Sequence, residues 1–169
     1  MKKLVYSLFF LFSVIHFSNA QTTNYQVYSV FVVSIAKYSS WPQSDAKEFK
    51  ITVLGKSKVY DELLKTTANK DIQGRKFQVT QSEEIPKDEP QIIYVSDGRS
   101  SQLNEIVKAY AGRPVMIIAE REGLFKKGAN FSFVVLDNNA LRFDINRKEL
   151  DNRQIRISQN LVSLANETI

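Results

Sequence analysis

Three short segments hold residues whose types and spacing could do chemistry: Gly55-Lys56-Ser57, Ser96-Asp97-Gly98-Arg99 and Glu120-Arg121-Glu122-Gly123. Lys56, Arg99 and Arg121 are cations that could hold an anionic ligand. Ser57 could add a hydrogen bond beside a helix start. Asp97, Glu120 and Glu122 could form a paired-carboxylate or hard-metal site. Each idea has a plainer rival. A phosphate loop needs a second glycine five positions before Gly55, and Lys50 stands there, so that motif fails. The three carboxylates match no coordination pattern, and solvated loop charge accounts for them equally well. Arg142, Asp144 and Asn146 alternate with Leu141, Phe143 and Ile145. That is the pattern of a strand with one face in solvent and one in a core.

Composition removes most catalytic classes. The chain has no cysteine and one histidine, His16. His16 falls in an apolar run, Leu4 to Phe17, preceded by Lys2 and Lys3 and followed by Ser18-Asn19-Ala20. This is the pattern of an exported leader cut after Ala20. The expected organisation is a signal peptide over 1–20 and one domain over 21–169, located in the periplasm. The apolar run is short for a bilayer span, which needs about 20 residues, so no direct membrane insertion is expected. Without His16 the exported domain has no imidazole. Ser-His-Asp and Cys-His machinery, and most zinc sites, are then excluded. No catalytic residue, cofactor or metal is expected. Loss of Lys2 and Lys3 lowers the formal charge from +5 to +3. The signs are interspersed, so nucleic acid is not an expected partner.

These loops need elements to position them. Val27, Val30, Phe31, Ile35 and Tyr38 recur at helical spacing, while Val27, Phe31, Val33 and Ile35 also alternate. Periodicity leaves helix and strand open here, and length favours helix. Trp41-Pro42 ends it, since proline pushes the preceding residue out of the helical region. Strands are expected at 50–54, 76–80, 91–95 and 115–119, with helices at 59–66 and 100–110, the latter capped by Ser101. Short apolar strands alternating with helices predict βαβ units and a parallel sheet covered on both faces. Residues 131–135 and 140–145 flank Asp137-Asn138-Asn139, which predicts an antiparallel hairpin. A short helix at 148–152 and a closing helix carrying Leu161, Leu164 and Ala165 follow. The expected fold is one α/β domain of three layers. It has a mainly parallel central sheet, an N-terminal helix, and a C-terminal hairpin plus closing helix. The three loop clusters would share the carboxyl edge of that sheet, where open α/β sheets bind ligands.

Three segments in this order resemble the YfiR-like family of bacterial periplasmic proteins. They are Tyr28, Phe31 and Tyr38 followed by Trp41-Pro42; the strand Ile51-Thr52-Val53-Leu54-Gly55; and an ending from Gly123 through Asn130-Phe131, Arg142-Phe143-Asp144-Ile145-Asn146 and Ile157-Ser158 to Leu161, Leu164 and Ala165. The resemblance spans nearly the whole exported chain. It implies a non-catalytic α/β domain that restrains an inner-membrane signalling protein, a diguanylate cyclase or a sensor kinase, by binding its periplasmic region. Cysteine pairs that give some members redox control are absent here, so redox sensing does not carry over.

Two further expectations concern contacts. Tyr28, Val32 and Ala36 fall away from the Val27, Phe31, Ile35 and Tyr38 stripe. They read as a surplus apolar face for a partner or for a homodimer, unless another part of the domain covers it. Trp41 reads as a plug closing the first helix onto the sheet, with a partner anchor as the alternative. A small-molecule or anion sensor using Lys56, Ser57, Asp97, Arg99 and Arg121 is the alternative function.

Overall fold

A computed structural model describes residues 25–169, and the expected leader and its cleavage point lie outside them. The elements run α1 (Tyr25–Lys37), β1 (Ser39–Ser40), β2 (Glu48–Leu54), α2 (Val59–Thr67), β3 (Asp71–Ile72), β4 (Arg75–Ser82), β5 (Ile92–Val95), α3 (Leu103–Ala109), β6 (Met116–Ala119), β7 (Phe131–Val135), β8 (Leu141–Ile145), α4 (Arg147–Asn152), β9 (Arg156–Ile157) and α5 (Gln159–Ser163). Short 3-10 helices occupy Asp97–Gln102 and Leu124–Lys127. The main sheet has the order β3-β4-β2-β5-β6-β7-β8. Strands β4, β2, β5, β6 and β7 are mutually parallel, while β3 and β8 close the edges antiparallel. β1 and β9 form a separate two-residue ribbon.

The continuous apolar strands reflect burial on both faces. Ile92, Tyr94, Met116 and Ile118 enter one core, with α1, α2 and the C-terminal segments. Ile93, Val95, Ile117 and Ala119 enter the other, beneath α3. This is the three-layer α/β domain expected, with its mostly parallel sheet and antiparallel hairpin. The loop after β4 also crosses the second face. Ile85 packs on that core, and the Tyr110 hydroxyl donates to the Pro86 carbonyl.

Four details depart from expectation. Tyr28, Val32 and Ala36 are buried together with Ile35 and Ser29, so the face expected to be surplus is the core face of α1. The cause lies under the helix. Phe133 and Phe143 rise from the hairpin: Tyr28 meets Phe133 edge-on at 4.9 Å and Phe31 meets Phe143 at 5.7 Å. The exposed ridge carries Val30 and Tyr38 instead. Asp144 and Asn146 are buried too, whereas Arg142 is exposed. The chain end lies along β8, and Asn166 donates to the Asp144 carboxylate at 2.8 Å. Asn146 caps α4 by accepting from the Glu149 N–H at 3.0 Å and donates to the Phe125 carbonyl at 2.8 Å. Ser101 lies inside the 3-10 turn that opens the expected helix, so it is not a cap. The closing helix is short, and Leu164 is exposed while Leu161 is buried.

Candidate functional site

Because β2, β5 and β6 are parallel neighbours, the loops that follow them share one edge of the sheet. The hub there is Glu120. One carboxylate oxygen accepts from the Ser57 hydroxyl at 3.2 Å and from the Asp97 N–H at 3.3 Å. Burial pushes the Glu120 carboxyl above its ordinary value, and these two hydrogen bonds pull against that rise. The Tyr94 hydroxyl beneath it is buried and has no hydrogen-bond partner. Burial, and then the neighbouring Glu120 charge, push its pKa well above the ordinary phenol value. Arg121 donates from Nε to one Asp97 oxygen at 2.7 Å and from its guanidinium end to the other at 3.3 Å. That fork holds the Asp97 carboxyl below its ordinary value.

The structure therefore joins Ser57 and Asp97 through Glu120, and Arg121 through the Asp97 carboxylate. Arg99 is held separately, by Glu83 at the end of β4 and by Gln102. It packs behind Gly55, which has a positive φ of 82° and no room for a side chain, because a Cβ there would meet Ser96 Oγ and Arg99 Cγ, each at 2.5 Å. Lys56 is exposed beside this cluster. Both arginines thus neutralise carboxylates of the chain itself. Among the described residues no group of three or more potential ligands is placed to hold a metal ion, so Asp97, Glu120 and Glu122 do not assemble as a metal site. The arrangement braces three loops by hydrogen bonds and ion pairs.

Among the described residues, a concave surface lies at the opposite edge, around Trp41. Trp41 and Pro42 form a ridge between three depressions. One of about 510 Å³ is lined by Asp151, Gln154, Ile155 and Arg156. One of about 530 Å³ follows residues 43–47 to Gln73, Gly74 and Arg75. One of about 320 Å³ is bounded by Glu48, Arg75, Gln91 and Pro114. Trp41 packs edge-on against buried Phe49 at 5.0 Å, and the Arg75 guanidinium covers the same ring at 5.1 Å. The indole N–H is buried without a partner. Trp41 is partly buried, so it closes the rim of the core and also walls all three depressions. Sequence reading found Trp41 but missed the grooves. Their walls come from Gln73, Gln91, Pro114 and Gln154, which are remote in sequence and carry no shared pattern. Buried Arg153 was missed as well. It donates to the Tyr110 carbonyl at the end of α3 and lies 4.0 Å from Glu149.

A model of the YfiR/HmsC-like family matches residues 25–166, nearly the whole described domain. The chain belongs to this family. No curated protein matches the chain. The family match covers both sheet edges, the Trp41-Pro42 ridge and the hairpin, and ends at Asn166. Among the described residues no helix is long and apolar enough to cross a membrane.

Proposed function

We propose that this chain is a non-catalytic periplasmic regulator that restrains or modulates an inner-membrane signalling protein, a diguanylate cyclase or a sensor kinase. The YfiR/HmsC-like match over residues 25–166 carries the reading. The leader pattern over 1–20 supplies the compartment, and the +3 charge of the exported part suits neither nucleic acid nor a strongly charged surface. The carboxyl-edge cluster supports the same reading, because its arginines are engaged by internal carboxylates rather than presented to a ligand. The Trp41-Pro42 ridge is the contact we assign to the partner: a partly exposed aromatic between grooves has the make-up of an interface anchor. Cyclic-di-GMP in cells lacking the chain is the test. It should rise, and should return to normal with the exported chain but not with a form lacking residues 1–20. Pro42→Asp, at an exposed position, should fold and fail to restore it. Unchanged cyclic-di-GMP, together with unchanged output from every membrane sensor kinase, would refute the proposal.

A further inference from the structure

Residues 166–169 lie along the outer edge of β8 as a strap. Asn166 N–H donates to the Phe143 carbonyl at 2.8 Å, and Ile145 N–H donates to the Glu167 carbonyl at 2.9 Å. Ile169 N–H returns to the Ile145 carbonyl at 2.9 Å, and Arg147 N–H donates to the Ile169 carbonyl at 2.7 Å. The strap runs parallel to β8, with Thr168 opposite Ile145. It is in effect a peptide added to the edge of a sheet and held by main-chain bonds.

Little besides those bonds holds it. Asn166, Glu167, Thr168 and Ile169 are all exposed, so the strap buries little apolar surface. Glu167 pairs with Lys126 at 2.9 Å, but both side chains are about half in solvent, where such a pair contributes little. The strand beneath is different: Phe143, Asp144 and Ile145 are buried. A segment with few buried contacts opens at a lower free energy than the domain it lies on.

The polar groups beneath the strap are under-served. The Asp144 carboxylate accepts from the Asn166 amide at 2.8 Å, and among the described residues no cation pairs with it. Ser132 stands opposite Asp144 in the β7–β8 register, and its hydroxyl is buried without a partner. A buried carboxylate held by a neutral amide is poorly compensated. A cation in the place of Asn166 would make a charge-assisted bond, roughly twice as strong as a neutral one. An arginine there also has N–H groups to spare for the Ser132 hydroxyl.

We infer that the β8 edge is an acceptor for an extended segment of another protein, which displaces the strap and carries arginine in the register position of Asn166. The strap itself is the template. The incoming segment runs parallel to β8, takes over the main-chain bonds to Phe143, Ile145 and Arg147, and sets its guanidinium against Asp144. An acidic residue next in the segment meets Lys126 as Glu167 does. The arginine is what lets a free segment compete. The strap is tethered beside its own site, at an effective concentration on the order of millimolar, so a free segment with the same side chains does not displace it at lower concentration. The inference stands independently of the signalling role.

The test titrates two synthetic peptides spanning residues 162–169, wild-type and Asn166→Arg, into the whole exported chain and follows its amide signals by NMR. The Asn166→Arg peptide should bind about tenfold tighter or more. It should shift the Ile145 and Arg147 amides and release the chain's own strap amides to fast exchange. The Asn146 amide, which donates to the Asn130 carbonyl on the inner side, should keep its protection. Asp144→Asn in the chain should abolish the preference for the arginine peptide. Glu167→Lys in the chain sets like charge against Lys126 at an exposed position. It should loosen the strap and tighten peptide binding about twofold to fivefold at unchanged melting temperature, and it decides the matter if Asp144→Asn does not fold. No binding of the Asn166→Arg peptide at millimolar concentration would overturn the inference. So would binding that leaves the Ile145 and Arg147 amides unshifted, or that is indifferent to these chain variants. Equal affinity of the two peptides would overturn it too, and would assign the edge to the strap of a second copy.

Discussion

Gly55→Ala tests how tightly the loops at the carboxyl edge are braced. Gly55 has a φ of 82°, and an added Cβ would stand 2.5 Å from Ser96 Oγ and 2.5 Å from Arg99 Cγ. Neither neighbour yields easily. Ser96 is buried and donates to the Leu54 carbonyl at 2.7 Å, while Arg99 is tied to Glu83. The left-handed backbone costs an alanine about 1–2 kcal/mol. Forced overlap in a packed region adds about 1–3 kcal/mol. The expected loss is thus about 2–5 kcal/mol. Gly74→Ala separates the two contributions: Gly74 has a similar φ of 74° and nothing within 4 Å of its would-be Cβ. The loss of freedom in the unfolded chain is the same for both and cancels in the difference. Urea unfolding at neutral pH should therefore show Gly55→Ala less stable than Gly74→Ala by about 1–3 kcal/mol. Equal stabilities would refute the picture of a rigid Ser96-Arg99 backstop.

Three other perturbations probe separate parts of the domain. Tyr28→Ala should cost about 3–5 kcal/mol and Val32→Glu should prevent folding, while Val30→Glu on the exposed ridge of α1 should stay within about 0.5 kcal/mol; thermal melts check the order, and a harmless Val32→Glu would return that face to a surface. The raised Glu120 carboxyl penalises the folded state when ionised, so its penalty holds above the folded pKa, is relieved as pH falls through it, and is gone below the ordinary carboxylate range. Wild type should gain stability relative to Glu120→Gln over that descent, and parallel pH profiles would contradict the assignment. Arg153→Ala should lose about 3 kcal/mol or more, leaving Glu149 and the Tyr110 carbonyl without their partner, whereas Arg153→Met, which keeps the stem packing and removes the buried charge, should lose clearly less in urea melts.

The parallel sheet was legible because its strands announce burial on both faces: Gln91 to Val95 and Val115 to Ala119 have no polar alternation, and helices separate them. The hairpin was legible from Asp137-Asn138-Asn139, where Asn139 adopts a φ of 61°. The two-residue strands β1, β3 and β9 were not legible, since so short a stretch has no period. The buried face of α1 was misjudged for a related reason. Its apolar residues cover most of the helix, and only the positions of Phe133 and Phe143 decide which arc is inside. Asp144 and Asn146 look like a solvent face until the chain end folds onto β8. At the carboxyl edge the sequence showed the right residues in one place. It could not show that Arg99 pairs with Glu83 and Arg121 with Asp97, because those pairings depend on rotamers across loops far apart in the chain.

On the function proposed above, the domain acts by binding a membrane signalling protein. Its most direct test is capture of tagged, exported chain from solubilised inner membranes, with Pro42→Asp as the control. Wild type should recover a membrane-anchored protein with a periplasmic region and a cytoplasmic signalling output, and Pro42→Asp should lose it while the variant's melting temperature is unchanged. Recovery of no such protein, or equal recovery by Pro42→Asp, would contradict the assignment of the Trp41-Pro42 ridge as the contact; the first result would also contradict the regulatory role itself.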